Sequence, residues 1–267
     1  MRFRDQRVFV TGASSGIGRA VAVEFAREGA HVALAARRED RLAEVAREIE
    51  GLGRRALVLR CDVTREEDLR DAVRASTGAF GGLDVAIANA GSGVTGRFER
   101  LSLEDFRRQF DTNVFGVLST VQAALPELEK TRGRLAIVGS VMGHVAVPAT
   151  SPYTMSKFAV RALAETLWYE LRSKGVSVTL VSPGLVRSEL RHKDNRGELH
   201  ADAKDPVPPF LVMPTATAAR KIVRAVARRR REIVLTAHAK VLVWANRYVP
   251  WLFRFVTRVA ATSRSTS

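Results

Sequence analysis

Short apolar runs alternate with amphipathic stretches along most of this chain. Residues 7–10 are apolar after Arg7 and stop at Thr11-Gly12, which predicts a buried first strand. Residues 17–28 place Ala20, Val21 and Phe25 on one side at helical spacing, with Gly29 as the stop. The same reading predicts a strand at 31–36, a charged amphipathic helix at 38–52 ending by Gly51 and Gly53, a strand at 56–60, a helix at 66–80 and a strand at 85–88. The second half repeats the alternation. A long helical stretch covers 103–130, with an interruption expected near Pro126. A strand at 135–138, a helix at 156–173 closed by Gly175, and a strand at 176–181 ending at Pro183-Gly184 follow. A helix at 216–229 and a strand at 233–235 complete the series. Strand–helix alternation over this length predicts an α/β fold, with a parallel sheet covered by helices on both faces.

No Gly/Ser-rich or Pro-rich linker divides the chain, so residues 1–236 are expected to form one domain. The stretch 187–214 is polar and then Pro-rich, and a loop of that length inside a domain suits a lid or binding loop. Residues 237–267 form an amphipathic extension. Within 237–261, Val241, Leu242, Trp244, Tyr248, Trp251, Leu252, Phe253, Phe255 and Val256 accompany a basic stripe of Lys240, Arg247, Arg254 and Arg258, and Pro250 is expected to break or kink the helix. Three readings stay open for this face: a peripheral membrane contact, a surface for a second subunit or the substrate, and packing on its own domain.

Composition narrows the function classes. The chain has 267 residues, is 46% hydrophobic and carries a formal net charge of +15. Its many arginines are scattered and form no compact basic block with interleaved aromatics, so nucleic-acid binding is not expected. The single cysteine, Cys61, precludes an internal disulfide and reads as a small buried side chain. No charged-then-apolar leader and no uncharged apolar run of spanning length stand out, so a cytoplasmic protein is expected, with the extension as a possible membrane-peripheral element.

The first chemical signal is Thr11-Gly12-Ala13-Ser14-Ser15-Gly16-Ile17-Gly18, between a strand and a helix. Glycine permits the sharp turn, and the helix start offers free N–H groups and a positive dipole end to a pyrophosphate. The second lies at the end of the second strand. An NAD site places an acid there for the ribose 2′-OH, whereas this chain has Ala35-Ala36-Arg37-Arg38. Two guanidiniums and no carboxylate favour a 2′-phosphate, hence NADP, unless they merely begin a solvated helix. Asp62 suits either an adenine contact or a turn acid near Thr64. The third is Tyr153-Thr154-Met155-Ser156-Lys157, with Ser140 upstream. A helix puts Tyr153 and Lys157 on one face. An adjacent ammonium is expected to lower the phenol's pKa, and bringing it from about 10 to about 7 requires about 4 kcal/mol.

Together these residues resemble the short-chain dehydrogenase/reductase family over nearly the whole chain, from about residue 7 to 235. Thr11 to Gly18 resembles its glycine loop, Asn89-Ala90-Gly91 its turn after the fourth strand, and Pro183-Gly184 its turn beside the nicotinamide. Ser140, Tyr153 and Lys157 match its catalytic serine, tyrosine and lysine in order and spacing, and Asn113 its helix asparagine. Two departures are minor: Ala88 precedes Asn89 where the family commonly has a second asparagine, and Ser188 replaces a common threonine.

The resemblance implies a Rossmann-type, doubly wound, mainly parallel sheet of about seven strands. It implies an NADP(H)-dependent oxidoreductase in which Tyr153 is the general acid or base, Ser140 polarises the substrate oxygen and Lys157 lowers the tyrosine pKa and holds the ribose. Asn113 would hold a proton-relay water. Cofactor contacts are implied for Gly12, Ser14, Ser15, Gly16, Ile17, Gly18, Arg37, Arg38, Asp62, Val63, Asn89, Ala90, Gly91, Tyr153, Lys157, Pro183, Gly184, Val186 and Ser188. No metal is needed. Val141, Met142, Val145, Val147, Pro148, Phe210, Leu211 and Val212 favour a hydrophobic alcohol or ketone, and His144 reads as a pocket-wall residue. A homo-oligomer is expected. The alternative is an NADP-binding regulatory or scaffold protein of the same fold without turnover.

Overall fold

The computed structural model describes residues 1–189, 194–195, 198, 207–251, 253 and 258. The chain runs β1 (Arg7–Thr11), α1 (Gly16–Arg27), β2 (His31–Ala36), α2 (Glu39–Glu50), β3 (Ala56–Arg60), α3 (Glu66–Phe80) and β4 (Val85–Ala88). It continues with α4 (Leu103–Phe110), a π-helical turn (Asp111–Phe115), α5 (Gly116–Thr131), β5 (Arg134–Val138), α6 (Ser151–Glu170) and β6 (Ser177–Ser182). After the irregular region come α7 (Thr215–Ala227), β7 (Glu232–Val234) and α8 (Ala237–Tyr248). The seven strands form one parallel sheet in the order β3-β2-β1-β4-β5-β6-β7. This is the expected Rossmann-type architecture. The strand order reverses between β1 and β4, and the crevice at the carboxyl ends of those strands is where such sheets bind ligands.

Alternation along each strand builds a core on either face. On β1, Val8 and Val10 join a cluster with Phe25, Leu42, Ile222 and Val226 from α1, α2 and α7. Phe9, between them, joins the opposite cluster with Ile137 of β5 and with Leu69, Leu128 and Val160 from the other helix layer. Each fully buried side chain of this size contributes about 1.5–3 kcal/mol. Both faces being dry explains why the strands read as unbroken apolar runs. Cys61 is buried, and burial pushes its thiol up to about 12, which fits an inert small core residue.

Two expectations change. Pro126 does not interrupt its helix; it lies inside α5. Pro126 and Gln122 are both exposed, so water can serve the Gln122 carbonyl that the missing N–H leaves open. The irregularity lies earlier, in the π turn at Asp111–Phe115, which inserts one extra residue and leaves no mark in hydrophobic spacing. Helix α6 begins at Ser151 rather than 156, with Pro152 in its first turn, where its missing N–H costs nothing. That early start makes Tyr153 helical. Helix α8 ends at Tyr248, just before Pro250. Leu252, Arg254, Phe255 and Val256 of the extension lie outside the described residues, as do 190–193, 196–197 and 199–206 of the expected lid. The base of that region is held by a bridge between Val186 and Met213. Among the described residues, no helix is long and apolar enough to cross a membrane.

Candidate active site

The glycine loop is shaped by close approach. Gly12 has φ +66°, and a Cβ there would lie 2.8 Å from the Ala90 Cα. A Cβ on Gly18 would overlap the Gly12 carbonyl and the Asn89 amide. Gly16 has φ +56° and faces Ser188, whose Cβ would lie 3.5 Å from an added methyl. Asn89 locks the arrangement: its Nδ2 donates to the Thr11 carbonyl at 2.9 Å and the Gly12 carbonyl at 3.3 Å. The Thr11 hydroxyl, which the sequence reading did not single out, accepts the Asn89 and Ala90 N–H groups at 3.0 and 3.2 Å and donates to the Ile87 carbonyl at 3.3 Å. Ser15 is the N-cap of α1 in extended conformation, and its side chain makes no capping bond. The amides at this helix start, including those of Gly16 and Ile17, are thereby left for an anion. A backbone cradle with no room for side chains fits the pyrophosphate of a dinucleotide.

At the end of β2 the two arginines differ. Arg38 Nη2 donates to Ser14 Oγ at 3.2 Å and pairs with Glu189 Oε2 at 3.1 Å, which ties the glycine loop to the start of the irregular region. Arg37 is exposed, with Nη1 3.9 Å from Asp62 Oδ2. Asp62 also accepts from the Thr64 N–H and hydroxyl at 3.0 and 2.8 Å, so its turn role is built into the fold. Val63 is buried, and Gly116 leaves the space that its side chain fills. Glu189 was invisible to sequence reasoning because 151 residues separate it from Arg38.

The expected catalytic residues converge beyond this loop. Ser140 follows β5 and is buried; its Oγ accepts the Met142 N–H at 3.1 Å, leaving its own proton to point elsewhere. Tyr153 and Lys157 share one face of α6, with Lys157 Nζ 5.7 Å from the centre of the Tyr153 ring. Lys157 is buried and donates to the Val138 carbonyl at 3.1 Å. Gly91 leaves open the spot where both Asn113 Oδ1 and Lys157 Nζ point, 3.3 and 3.9 Å from an added methyl. Asn113, in the π turn, accepts the Ser92 N–H at 2.8 Å and donates to the Ser92 carbonyl and to Ser156 Oγ at 3.0 and 3.2 Å. Gln109, one turn earlier and also unforeseen, clasps the same strip through the Val94 N–H at 2.6 Å and the Ser92 carbonyl at 3.0 Å. Its spacing of four from Asn113 was the available signal.

Electrostatics corrects one expectation. Burial outweighs the lowering expected of the Tyr153 phenol. Burial pushes it above its ordinary value, and a hydrogen bond with Ser140 opposes that rise. Burial also holds the Lys157 ammonium down to about 8. The ammonium is directed to the Val138 carbonyl instead of the phenol oxygen, so desolvation dominates both groups. At neutral pH the pair is a neutral phenol beside an ammonium, the state from which a proton is donated.

The remaining expected contacts frame the opposite wall. The Pro183 carbonyl accepts the Val141 N–H at 2.8 Å, so the Pro183-Gly184 turn is joined directly to the segment after Ser140. Val186 is buried. Of the apolar residues expected around the substrate, Val145 is buried, Met142 is half-buried and Phe210 and Leu211 are exposed. His144 is buried, with Nε2 3.0 Å from both Ser182 Oγ and Glu232 Oε1. A cavity of about 420 Å³ lined by Arg19, Arg27, Arg187 and Ala216 lies between α1 and the start of α7 and is not lined by Tyr153, so it is not read as the substrate site.

Comparison with known proteins agrees with this geometry. The sequence matches the short chain dehydrogenase family over residues 6–199. It is 35% identical over 260 residues to 11-beta-hydroxysteroid dehydrogenase A of Sesamum indicum, covering 93% of this chain and 74% of that one. It is 37% identical over 244 residues to 11-beta-hydroxysteroid dehydrogenase 1A of Arabidopsis thaliana, covering 88% and 69%. A short-chain type dehydrogenase/reductase from Mycobacterium marinum superposes with a TM-score of 0.79 at 34% identity, covering 89% of this chain and 96% of that one. A short chain dehydrogenase from Burkholderia cenocepacia J2315, solved in complex with NADP, gives 0.78 at 30% identity, covering 90% and 100%. The fold is one that binds NAD(P), and the chain belongs to the short chain dehydrogenase family of oxidoreductases.

Proposed function

We propose that this protein is an NADP(H)-dependent oxidoreductase that interconverts a hydrophobic ketone and its alcohol. The observation that carries this reading is the convergence of Ser140, Tyr153 and Lys157 on the mouth of the glycine loop. Gly12, Ser14, Ser15, Gly16, Ile17 and Gly18 would hold the pyrophosphate, Arg37 and Arg38 the 2′-phosphate, and Asn89, Ala90, Gly91, Pro183, Gly184, Val186 and Ser188 the rest of the dinucleotide. Bound there, the cofactor supplies or accepts the hydride. In reduction, the Ser140 hydroxyl donates to the substrate carbonyl oxygen and polarises it. The Tyr153 phenol gives its proton to the same oxygen as the alcohol forms. The Lys157 ammonium stabilises the phenolate left behind, and Asn113 fixes the strip that closes the site beside it. In oxidation, the phenolate takes the proton back.

The steroid-named relatives and the apolar side chains of Met142, Val145, Phe210 and Leu211 in the segments expected around the substrate support a bulky apolar substrate, ring-shaped alcohols and ketones included. We also infer a homo-oligomer, supported by the exposed Phe115 in the π turn and the exposed Met155 and Phe158 on α6. A cytoplasmic protein whose α8 face touches a membrane surface is the accompanying expectation, supported by exposed Trp244, Tyr248 and Trp251 beside Lys240 and Arg247. The test of the activity is nicotinamide absorbance with a panel of apolar ketones, charged keto acids and both cofactors. Turnover with apolar ketones and NADPH, well above that with keto acids or NADH, is expected. Tight NADPH binding with no turnover on any substrate would favour the scaffold alternative.

A further inference from the structure

We propose that α8 is part of the active site: His238 is a positioning residue for the cofactor-side turn, and Asn246 for the substrate-side loop. This rests on the reading of Pro183-Gly184 as the nicotinamide side. The turn is seated directly on the first turn of α8. A Cβ on Gly184 would overlap the Thr236 hydroxyl and lie 2.9 Å from both Ala239 Cβ and His238 Nε2. The backbone thus approaches the helix at a distance that only glycine allows.

His238 makes this contact directional. Its Nε2 lies 3.2 Å from the Leu185 N–H and 3.0 Å from Thr236 Oγ1. A backbone N–H only donates, so Nε2 is the acceptor and the ring carries its proton on Nδ1. The other tethers of the turn are backbone bonds: the Pro183 carbonyl takes the Val141 N–H at 2.8 Å, and the Leu185 carbonyl takes the Met213 N–H at 2.9 Å. Val141 directly follows Ser140. Loosening the imidazole therefore releases the turn next to the residue that polarises the substrate.

Two turns along α8, Asn246 Nδ2 donates to the His144 carbonyl at 2.9 Å. A helix rises about 12 Å over that distance, enough to reach from the cofactor turn to the substrate loop. The His144 ring is anchored in turn by Ser182 Oγ and Glu232 Oε1, both 3.0 Å from Nε2. One ring nitrogen facing both partners cannot serve as a nucleophile's base while the acid orients the other nitrogen. Ser182, His144 and Glu232 are thus an anchor and not a second hydrolytic triad. The inner face of α8 consequently braces both walls of the site.

The experiment uses the full chain with His238→Leu, His238→Gln and Asn246→Ala, read by NADPH fluorescence titration, the split between KM and kcat, and melting temperature. His238→Leu should weaken NADPH binding about tenfold, as expected for one lost hydrogen bond at a binding site. The glutamine, whose Oε1 can accept the same N–H, should recover most of that loss. Asn246→Ala should raise the ketone KM severalfold and leave NADPH affinity unchanged. A leucine variant that binds NADPH like wild type, or a glutamine variant no better than the leucine one, overturns the proposal. NMR of the His238 imidazole nitrogens tests the tether without cofactor and without mutation. The Nδ1–H tautomer is expected, and an Nε2–H ring refutes it, even if the leucine variant fails to fold. Wild-type protein that binds no NADPH would overturn the proposed function instead, while the tautomer still decides the tether.

Discussion

The two sides of the site are built differently. On the cofactor side, a short stretch between β1 and α1 supplies most of the geometry, and its glycines sit where backbone meets backbone. On the substrate side, the walls come from segments far apart in sequence: the loop after β5, the turn after β6 and α8, joined by single hydrogen bonds such as Asn246 to His144 across 102 residues. The first is a rigid mould for a common ligand. The second is an assembly that can change one wall at a time, and under the proposed function it is where specificity would be set. Tyr153 and Lys157 stand between them on the rigid frame of α6.

Breaking the shared element should cost most. Tyr153→Phe should lower kcat by about 100- to 10,000-fold, the range for a positioned acid, while NADPH titration shows near-normal affinity. Retained turnover would remove the phenol from the chemistry. On the mould side, Gly18→Ala forces a methyl into the Gly12 carbonyl. Overpacking against backbone costs about 3 kcal/mol, so cofactor affinity should fall on the order of 100-fold by calorimetry. Arg38→Ala should weaken NADPH by roughly 10- to 100-fold and NADH little, since a charged hydrogen bond is worth about 1.5–3 kcal/mol. Equal losses for both would show that Arg38 does not read the 2′-phosphate.

The pair on α6 should also show in a pH profile. The buried Lys157 ammonium is held down to about 8, so it loses its proton as pH rises through that value. The kcat/KM for reduction, which reports the free enzyme, should therefore fall above about pH 8, and Lys157→Arg should remove that limb. The sign for stability is opposite. Between the folded value and the ordinary 10.5, the unfolded chain binds more protons, so this residue's contribution to stability rises with pH over that window. The smallest effect expected is at Glu189, whose carboxylate pairs with Arg38 where a 2′-phosphate would approach. Glu189→Gln should tighten NADPH a few-fold in the same titration, and weaker binding would show that the pair orders Arg38 instead of competing for it.

Most of the fold was legible because both faces of a parallel sheet are dry, so each strand shows as an apolar run and each helix as a stripe. The glycine loop was legible because its constraint is local. The π turn was not, since it changes hydrogen bonding without disturbing the apolar spacing, and Asn113 sits within it. The raised phenol of Tyr153 was not legible, because spacing places a lysine nearby but does not say where its ammonium points or how deep the pair is buried. Here it points to the Val138 carbonyl, and burial prevails. Glu189 and His238 were unreadable for a simpler reason: their partners lie in segments that only the folded sheet brings close.

In the proposed enzyme, phenol, hydroxyl and ammonium line the mouth of a dinucleotide cradle. A crystal structure with NADP and a slow apolar alcohol tests it most directly. The pyrophosphate is expected on the amides at the start of α1, and the alcohol oxygen within hydrogen-bond distance of both Tyr153 Oη and Ser140 Oγ on the nicotinamide side. A nicotinamide turned away from Tyr153, or an alcohol oxygen that reaches neither hydroxyl, would contradict it.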